Sequence, residues 1–438
     1  MSEFGDELSR LMAEQGISLR ELARRSYCDH GYLSRVVRGQ RRSSPEIAAQ
    51  LDNVLGAEGR LAALARRDML KIATGPVVPV SGSDRDPEND TRRRLTAETA
   101  STPVLGDVLG PAPDMRLLDT GSFVPVLTGH SVGSGPDEPL PCMSALSAAA
   151  ADARRKYQAC RYSELIGQLP GLLARLQATR QALDGEARSR VLALAADAYH
   201  VAAGVLLKLD DQGLAYLAAD RSMQAAQASE DPVTVGASAR IMIHALMNGG
   251  HFASAVSTAR SHAQRLDRDV PSHTPESLSV YRSLLLRGAI AAAQDDQRAT
   301  AYELLDEADD TARRLGADAN LRWTAFGPVN ARLHRVNIAV TLGDAGTAVD
   351  VACGTDLSTV TVTERKATLL IDTARAYLQW GRHGKAYIAL RAAEQVAHEE
   401  VAGRPSVRRL IRDLVTTAPP SLRRDALSFA TGIGIDGD

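Results

Sequence analysis

The C-terminal two thirds of this 438-residue chain repeat a turn of small or polar residues, followed by a helical pattern with a small early residue. Five of these turns align, with spacings of 40, 46, 47 and 38 residues between their alanines: Ala215, Ala255, Ala301, Ala348 and Ala386. A sixth, more divergent turn lies at Cys160–Leu165. A repeat of this length accommodates one pair of helices. The chain is therefore predicted to be all-α, with about six helix pairs over residues 143–430; an irregular helical bundle is the alternative.

Composition narrows the class of protein further. Aromatic residues make up only 4% of the chain, which excludes an all-β fold because such folds draw heavily on aromatic residues. The net charge of −2 excludes a protein that coats nucleic acid with its whole surface. The four cysteines lack CxxC spacing, so we expect no disulfide framework and no zinc site. No other metal site and no cofactor are expected. The polar start of the chain and its short apolar stretches predict no signal peptide and no membrane span.

Proline and glycine divide the chain into three regions. Residues 75–141 hold 10 of the 19 prolines and 8 of the 34 glycines, which is typical of a linker. The predicted organisation is a small helical domain at residues 1–72, a Pro/Gly-rich linker at residues 73–142 and a helical repeat domain at residues 143–438.

The N-terminal domain carries five short helical patterns. They are predicted at Phe4–Glu14, Leu19–Ser26, His30–Gly39 and Pro45–Leu55, with a fifth beginning at Arg60. Ser18 and Asp29 can cap the second and third helices, and Gly39 can end the third. Seven arginines and only two acidic residues give residues 20–42 a local charge of +5, which favours contact with nucleic acid.

Two segments of this domain carry a family resemblance. Leu19-Arg-Glu-Leu-Ala23 and Tyr32-Leu-Ser-Arg-Val-Val-Arg-Gly39 resemble the lambda-repressor-like helix-turn-helix, or XRE, family. The resemblance implies a five-helix DNA-binding domain whose third helix enters the major groove. It assigns contacts with base edges or with the DNA backbone to Arg20, His30, Gly31, Tyr32, Ser34, Arg35, Arg38, Arg41 and Arg42. Leu19 and His30 stand where the family often has glutamine, so its sequence preference does not carry over. A solvated basic face is the alternative interpretation.

Three other motifs lack the structural context that their chemistry needs. Arg66-Arg-Asp-Met-Leu-Lys71 is similar to a twin-arginine export motif, but no long apolar stretch follows it. Gly129-His-Ser-Val-Gly133 fits a nucleophile elbow with a candidate strand at Phe123–Leu127, yet Ser-Gly-Pro stands where the elbow needs a helix. Gly381-Arg-His-Gly-Lys385 fits a turn between helices better than a phosphate loop. No catalytic set stands out, so we expect no enzyme; an esterase that uses Ser131 is the third hypothesis.

A polar stripe runs along the first helices of the repeats. Asn330, His334 and Asn337 are spaced i, i+4 and i+7, on one helical face. Alignment of the repeats adds Asp197, His244, Arg287, Asp372 and Arg375 to the equivalent face. In stacked helical repeats this face lines the concave surface, where asparagine can pair with a peptide backbone. The predicted effector-binding residues are His244, Arg287, Asn330, His334, Asn337 and Arg375; hydrogen bonds between helices are the alternative interpretation.

The repeats resemble a tetratricopeptide (TPR)-like α-solenoid, although their period is longer. With the N-terminal motif they are similar to XRE-type regulators that sense peptides in Gram-positive bacteria, and to actinobacterial helix-turn-helix proteins with a Trp-x-x-Phe-Gly-Pro-x-Asn segment, here Trp323–Asn330. The resemblance implies a cytoplasmic, homodimeric regulator that binds a palindromic operator in double-stranded DNA and responds to a peptide or small-molecule effector, as in quorum sensing. A TPR-type interaction adaptor, tethered to DNA by its N-terminal domain, is the alternative hypothesis.

Overall fold

The structure is a computed structural model, and it describes residues 3–26, 33, 36–38, 45–57, 59–73, 119–129, 140–315, 320–325 and 327–435. Throughout these residues the regular secondary structure is helical, which confirms the predicted all-α class. The chain forms two compact units, Met1–Arg85 and Asp86–Asp438.

The described helices of the N-terminal unit are α1 (Glu3–Glu14), α2 (Leu19–Arg25), α3 (Pro45–Leu55) and α4 (Arg60–Ala73). As predicted, Ser18 caps α2, because its hydroxyl accepts a hydrogen bond from the Glu21 N–H at 3.2 Å. Asp52 is buried, and its carboxylate accepts hydrogen bonds from the N–H groups of Leu61 and Ala62 at 2.9 Å each. A side chain of α3 therefore holds the first turn of α4.

The predicted third helix of this unit is described at Leu33 and at residues 36–38, and the backbone of residues 33, 36 and 37 is helical. Leu33 and Val36 are buried in the core of the unit. α1 approaches this segment closely, since a Cβ atom on Gly5 would lie 2.5 Å from the carbonyl oxygen of Val37. The lack of a side chain at Gly5 lets the two backbones meet.

The described part of the second unit begins with a 3₁₀ turn (Thr120–Phe123) and α5 (Val124–Thr128), which are followed by six helical hairpins. The hairpins are α6 (Met143–Gln158) with α7 (Tyr162–Gln181), α8 (Gly185–Lys208) with α9 (Gln212–Ser229), α10 (Pro232–Asn248) with α11 (Phe252–Asp269), α12 (Pro275–Gln294) with α13 (Arg298–Leu315), α14 (Pro328–Thr341) with α15 (Ala345–Cys353), and α16 (Thr363–Gln379) with α17 (His383–Val396). After them come α18 (His398–Ala402), α19 (Pro405–Thr417) and α20 (Pro420–Gly432).

Each hairpin turns through a residue in the left-handed region. These residues have φ between 55° and 78°, and they are Cys160, Asp210, Gly250, Asp296, Gly343 and Gly381. A left-handed residue just beyond a helix end satisfies the last carbonyl groups, and glycine reaches this conformation most easily. The five aligned alanines that define the repeat are all fully buried. The repeat in the sequence is therefore produced by the hairpin turn and by the small residue that packs after it.

Residues 119–129 lie within the range predicted as linker, but they pack on the helical unit. Phe123 and Leu127 are fully buried in the same apolar core as residues of α7, α8 and α9. The carbonyl of Val126 accepts a hydrogen bond from Gln177 Nε2 at 2.7 Å, and that of Leu127 accepts one from Arg221 Nε at 2.9 Å. The predicted linker does not extend over this segment.

The candidate strand at Phe123–Leu127 is helical instead. Pro125 lies in the first turn of α5, where a helix tolerates proline because that N–H has no helical partner. Because this segment is helical, the strand that a nucleophile elbow at Gly129–Gly133 requires is not present there. Ser131 itself lies outside the described residues.

One described helix, α8, has the length and hydropathy of a membrane span. However, 78% of its most apolar window is buried inside the unit, and α8 contacts α6, α7, α9 and α10. Its apolar character is that of a central core helix, which is why it exceeds the short apolar stretches expected from the sequence.

The hairpin array curves until its first hairpin meets its last elements. The hydroxyl of Tyr162, at the start of α7, donates a hydrogen bond to Glu400 Oε2 of α18 at 2.6 Å. The N–H of Ser163 donates to Glu399 Oε2 at 2.9 Å. The array therefore closes around the faces of the first helices.

Candidate functional site

The predicted DNA-contacting residues belong to the N-terminal unit. Arg38 is described and exposed. The side chain of Arg20 lies outside the described residues, as do His30, Gly31, Tyr32, Ser34, Arg35, Arg41 and Arg42. The described residues on either side hold this segment in place. Ser26 is buried and caps the C-terminal end of α2, and its hydroxyl donates to the Leu22 carbonyl at 2.7 Å. Leu33 and Val36 are buried in the core of the unit.

An open cavity of about 280 Å³ lies between the hairpins of the second unit. The first helix of every hairpin contributes to its lining, with Tyr157 of α6, Leu207 of α8, Met247 of α10, Ile290 of α12, Leu333 of α14 and Ile371 of α16. Arg409 of α19 lines it as well. Six basic and three acidic side chains face this space, so its walls carry an excess of positive charge.

The structure brings together five of the six predicted effector-binding residues. His244, Arg287, His334, Asn337 and Arg375 all line the 280 Å³ cavity. They come from four hairpins whose equivalent faces the repeat alignment had matched. The sixth residue, Asn330, lines a separate cavity of about 160 Å³ instead.

Asn330 and His334 make local contacts within and beside α14. The Nδ1–H group of His334 donates to the Asn330 carbonyl at 2.8 Å, and Asn330 Nδ2 donates to the Thr324 carbonyl at 3.4 Å. Both side chains are buried. Burial, followed by the charge of Arg365, lowers the pKa of His334 well below its usual value, so this imidazole is neutral at pH 7. For these two residues the alternative interpretation, structural hydrogen bonding, has the stronger support.

Asn337 joins two helices and keeps one free polar atom. Its Nδ2 donates to Asp372 Oδ2 of α16 at 2.8 Å. Its Oδ1 is buried without a hydrogen-bond partner among the described residues. Asp372 is also paired with Arg375, at 3.3 Å. Asn337 therefore ties α14 to α16 and still offers one hydrogen-bond acceptor at the cavity wall.

A buried charge network closes the array at one side of the cavity. Lys208 Nζ lies 2.7 Å from Glu364 Oε1 and 2.6 Å from Glu400 Oε1. Glu400 is completely buried and also accepts hydrogen bonds from Arg404 and Tyr162, each at 2.6 Å. Burial raises the pKa of Glu364, but the charges of Lys208 and Arg365 outweigh it and lower this pKa below its usual range.

These network residues were not among the sequence predictions. Lys208 alone gave a signal, since a lysine that ends a long apolar helix needs a partner when it is buried. Its partners lie 156 and 192 residues further along the chain, beyond the reach of helical periodicity.

Comparison with known families identifies the N-terminal unit. Residues 3–65 match the sequence model of a helix-turn-helix domain. No curated protein sequence matches the chain. The N-terminal domain is therefore an XRE-like helix-turn-helix, a type of domain that binds DNA.

Proposed function

We propose that this protein is a sequence-specific transcriptional regulator whose helix-turn-helix domain binds operator DNA and whose helical domain binds an effector. The observation that carries the proposal is the helix-turn-helix match over residues 3–65, which contains the arginine-rich segment at residues 20–42. Arginines at a recognition helix supply both phosphate contacts and bidentate contacts with guanine. Such a protein acts in the cytoplasm, on the nucleoid, and needs no catalytic residues.

The effector site of this proposal is the 280 Å³ cavity. Five side chains that the repeats align on equivalent faces converge there, and all six hairpins contribute to the wall. Small-molecule sites have volumes of roughly 300–1,000 Å³. The cavity volume of about 280 Å³ lies close to the lower end of this range. The closed TPR-like array therefore suits a compact molecule better than an extended peptide of the kind used in quorum sensing.

The proposal includes a homodimer. Helix-turn-helix domains commonly read two half-sites about one helical turn apart, so that a palindromic operator matches the two-fold symmetry of two copies. A ligand that favours one arrangement of the helical domains would change the spacing of the two recognition segments, and with it the affinity for DNA.

Selection of genomic fragments by the purified full-length protein tests this function. We expect a small number of fragments that share two similar half-sites, because base contacts discriminate between sequences. Sequencing of the recovered fragments is the measurement. If fragments from all parts of the genome are recovered equally, the result would contradict a sequence-specific regulator. It would support the alternative, an interaction adaptor that is tethered to DNA.

A further inference from the structure

We propose that the effector is an anion, and that Arg240, Arg287 and Arg365 form the site for its phosphate or carboxylate group. This inference rests on the proposed effector cavity and names the chemistry of the ligand. The three arginines come from α10, α12 and α16, and all of them line a smaller cavity of about 30 Å³. Arg287 and Arg365 also line the 280 Å³ cavity, so the two spaces share walls.

Two of these arginines have no acidic partner among the described residues. Arg287 makes neither an ion pair nor a hydrogen bond there, although it faces both cavities. The hydrogen bond of Arg240 goes to His200 Nε2, at 3.0 Å, and Arg240 is only 9% exposed. Arg365 lies 3.4 Å from Glu364, but Lys208 already holds that carboxylate. The positive charge of the cluster is therefore not balanced by the protein.

The unpartnered polar atoms around the smaller cavity indicate which kind of hydrogen-bonding atom a ligand would supply. A guanidinium group only donates, so His200 must accept the bond from Arg240 at Nε2 and carry its proton on Nδ1. His200 Nδ1 and Arg240 Nε are both buried without a partner among the described residues, as is Arg154 Nε, and all three residues line the smaller cavity. All three unpartnered atoms are donors. An oxyanion supplies the acceptors that they lack.

Burial and neighbouring arginines lower the pKa values of Arg240 and Arg287. Burial, and next the charge of Arg287, lower the pKa of Arg240 to about 9. Burial, and next the charge of Arg365, lower the pKa of Arg287 to about 10. Both groups remain charged at pH 7 and repel each other. Uncompensated buried charge destabilises a protein, and such strained arrangements are typical of binding sites.

The neighbouring histidines are neutral and add no further positive charge. His200 and His244 line the same space, and burial together with the surrounding arginines lowers the pKa of each well below its usual value. They are therefore neutral at pH 7 and can act as directional partners for the oxygens of a ligand. Asn337 also lines the 280 Å³ cavity, and its Oδ1, which has no partner among the described residues, can accept a hydrogen bond from a donor elsewhere on the ligand.

Thermal melting of the full-length protein with inorganic pyrophosphate or citrate tests the site, with sodium chloride at matched ionic strength as the reference. We expect one or both anions at millimolar concentration to raise Tm by several degrees, because a ligand that binds only the folded state stabilises it. A response to pyrophosphate alone assigns a phosphate ligand, and a response to citrate alone assigns a carboxylate ligand. Arg287→Met should lose the response.

Arg190→Met is the matched control, since it removes the same charge from a side chain that is 68% exposed. Arg190→Met should keep the full rise in Tm with the anion. The general stabilisation of proteins by such salts does not depend on a binding site, so it is the same in every variant. Without ligand, Arg287→Met should melt at or above the wild-type temperature, because no protein partner is lost.

Three results would overturn the inference: no shift with either anion, an equal shift in Arg287→Met, or a large loss of stability in that variant. None of these measurements involves DNA. A failure of the anion site is therefore distinguishable from a failure of the regulator proposal, which the genomic selection decides.

Discussion

Glu400→Gln lowers the free energy of unfolding of the helical domain by about 3–5 kcal/mol, the usual cost of breaking a buried ion pair. Glu400 is completely buried, and its carboxylate faces both Lys208 and Arg404 at 2.6 Å. Glutamine has nearly the same size but no charge, so Arg404 loses its carboxylate partner and the buried Lys208 keeps only one of its two, Glu364. Because this network joins α8 to α18, its loss also opens the contact that closes the hairpin array. Chemical denaturation of the full-length protein, followed by circular dichroism, measures the difference.

Glu186→Gln is the matched control for this prediction. It makes the same chemical change in an ion pair with Arg190 at the surface, where the Glu186 side chain is 80% exposed. Surface ion pairs contribute little because water already solvates both charges. We therefore expect the control to unfold at the same denaturant concentration as the wild type. If Glu400→Gln unfolds at the same denaturant concentration as this control, closure of the array does not depend on the buried network.

Arg35→Ala should lower the affinity for the preferred operator by about 1–3 kcal/mol, or roughly 5- to 150-fold, while the affinity for random DNA changes far less. The reason is that a contact with a base edge is made only on the correct sequence. Arg41→Ala is the matched arginine variant, and it should weaken binding to both DNAs alike. It should also lower, by about one, the slope of the logarithm of the binding constant against the logarithm of the salt concentration. This is the change expected when one phosphate contact is lost.

Fluorescence anisotropy with both DNAs at several salt concentrations measures these effects. Both residues lie outside the described part of the chain, so the assignment rests on the helix-turn-helix pattern in the sequence. Equal losses for the two variants on both DNAs would show that Arg35 does not read bases.

The hairpins could be predicted because their signal is local. A left-handed residue such as Gly250 occurs in all six hairpin turns, and an aligned, buried alanine such as Ala255 occurs in five of the hairpins. The turn of small or polar residues and the alanine after it are visible in the sequence without knowledge of the tertiary structure. Helical periodicity then placed His244, Arg287, His334, Asn337 and Arg375 on matching faces, and these residues line one cavity. Helical periodicity and the repeat alignment thus predicted that these five residues lie on one surface, and their role in effector binding stays a prediction.

The remaining features depend on contacts that no local pattern encodes. Lys208 and Glu400 meet across 192 residues, and whether the array closes depends on the summed rotation of all its hairpins. Asn330 shares the helical face of His334, yet it contacts Thr324, in a segment whose packing the sequence did not indicate. The packing of Phe123–Leu127 on the helical unit could not be predicted, because the few apolar residues of this segment lie in a region rich in proline and glycine.

Sequence-specific recognition is decided by the ratio of two dissociation constants of the wild-type protein. One is measured on the genomic fragment recovered most strongly, and the other on a shuffled fragment of equal length and composition, both at about 0.15 M salt. A helix-turn-helix regulator should bind the recovered fragment about 10³-fold more tightly or better. A ratio near one, with both affinities falling equally as salt rises, would contradict the proposed function.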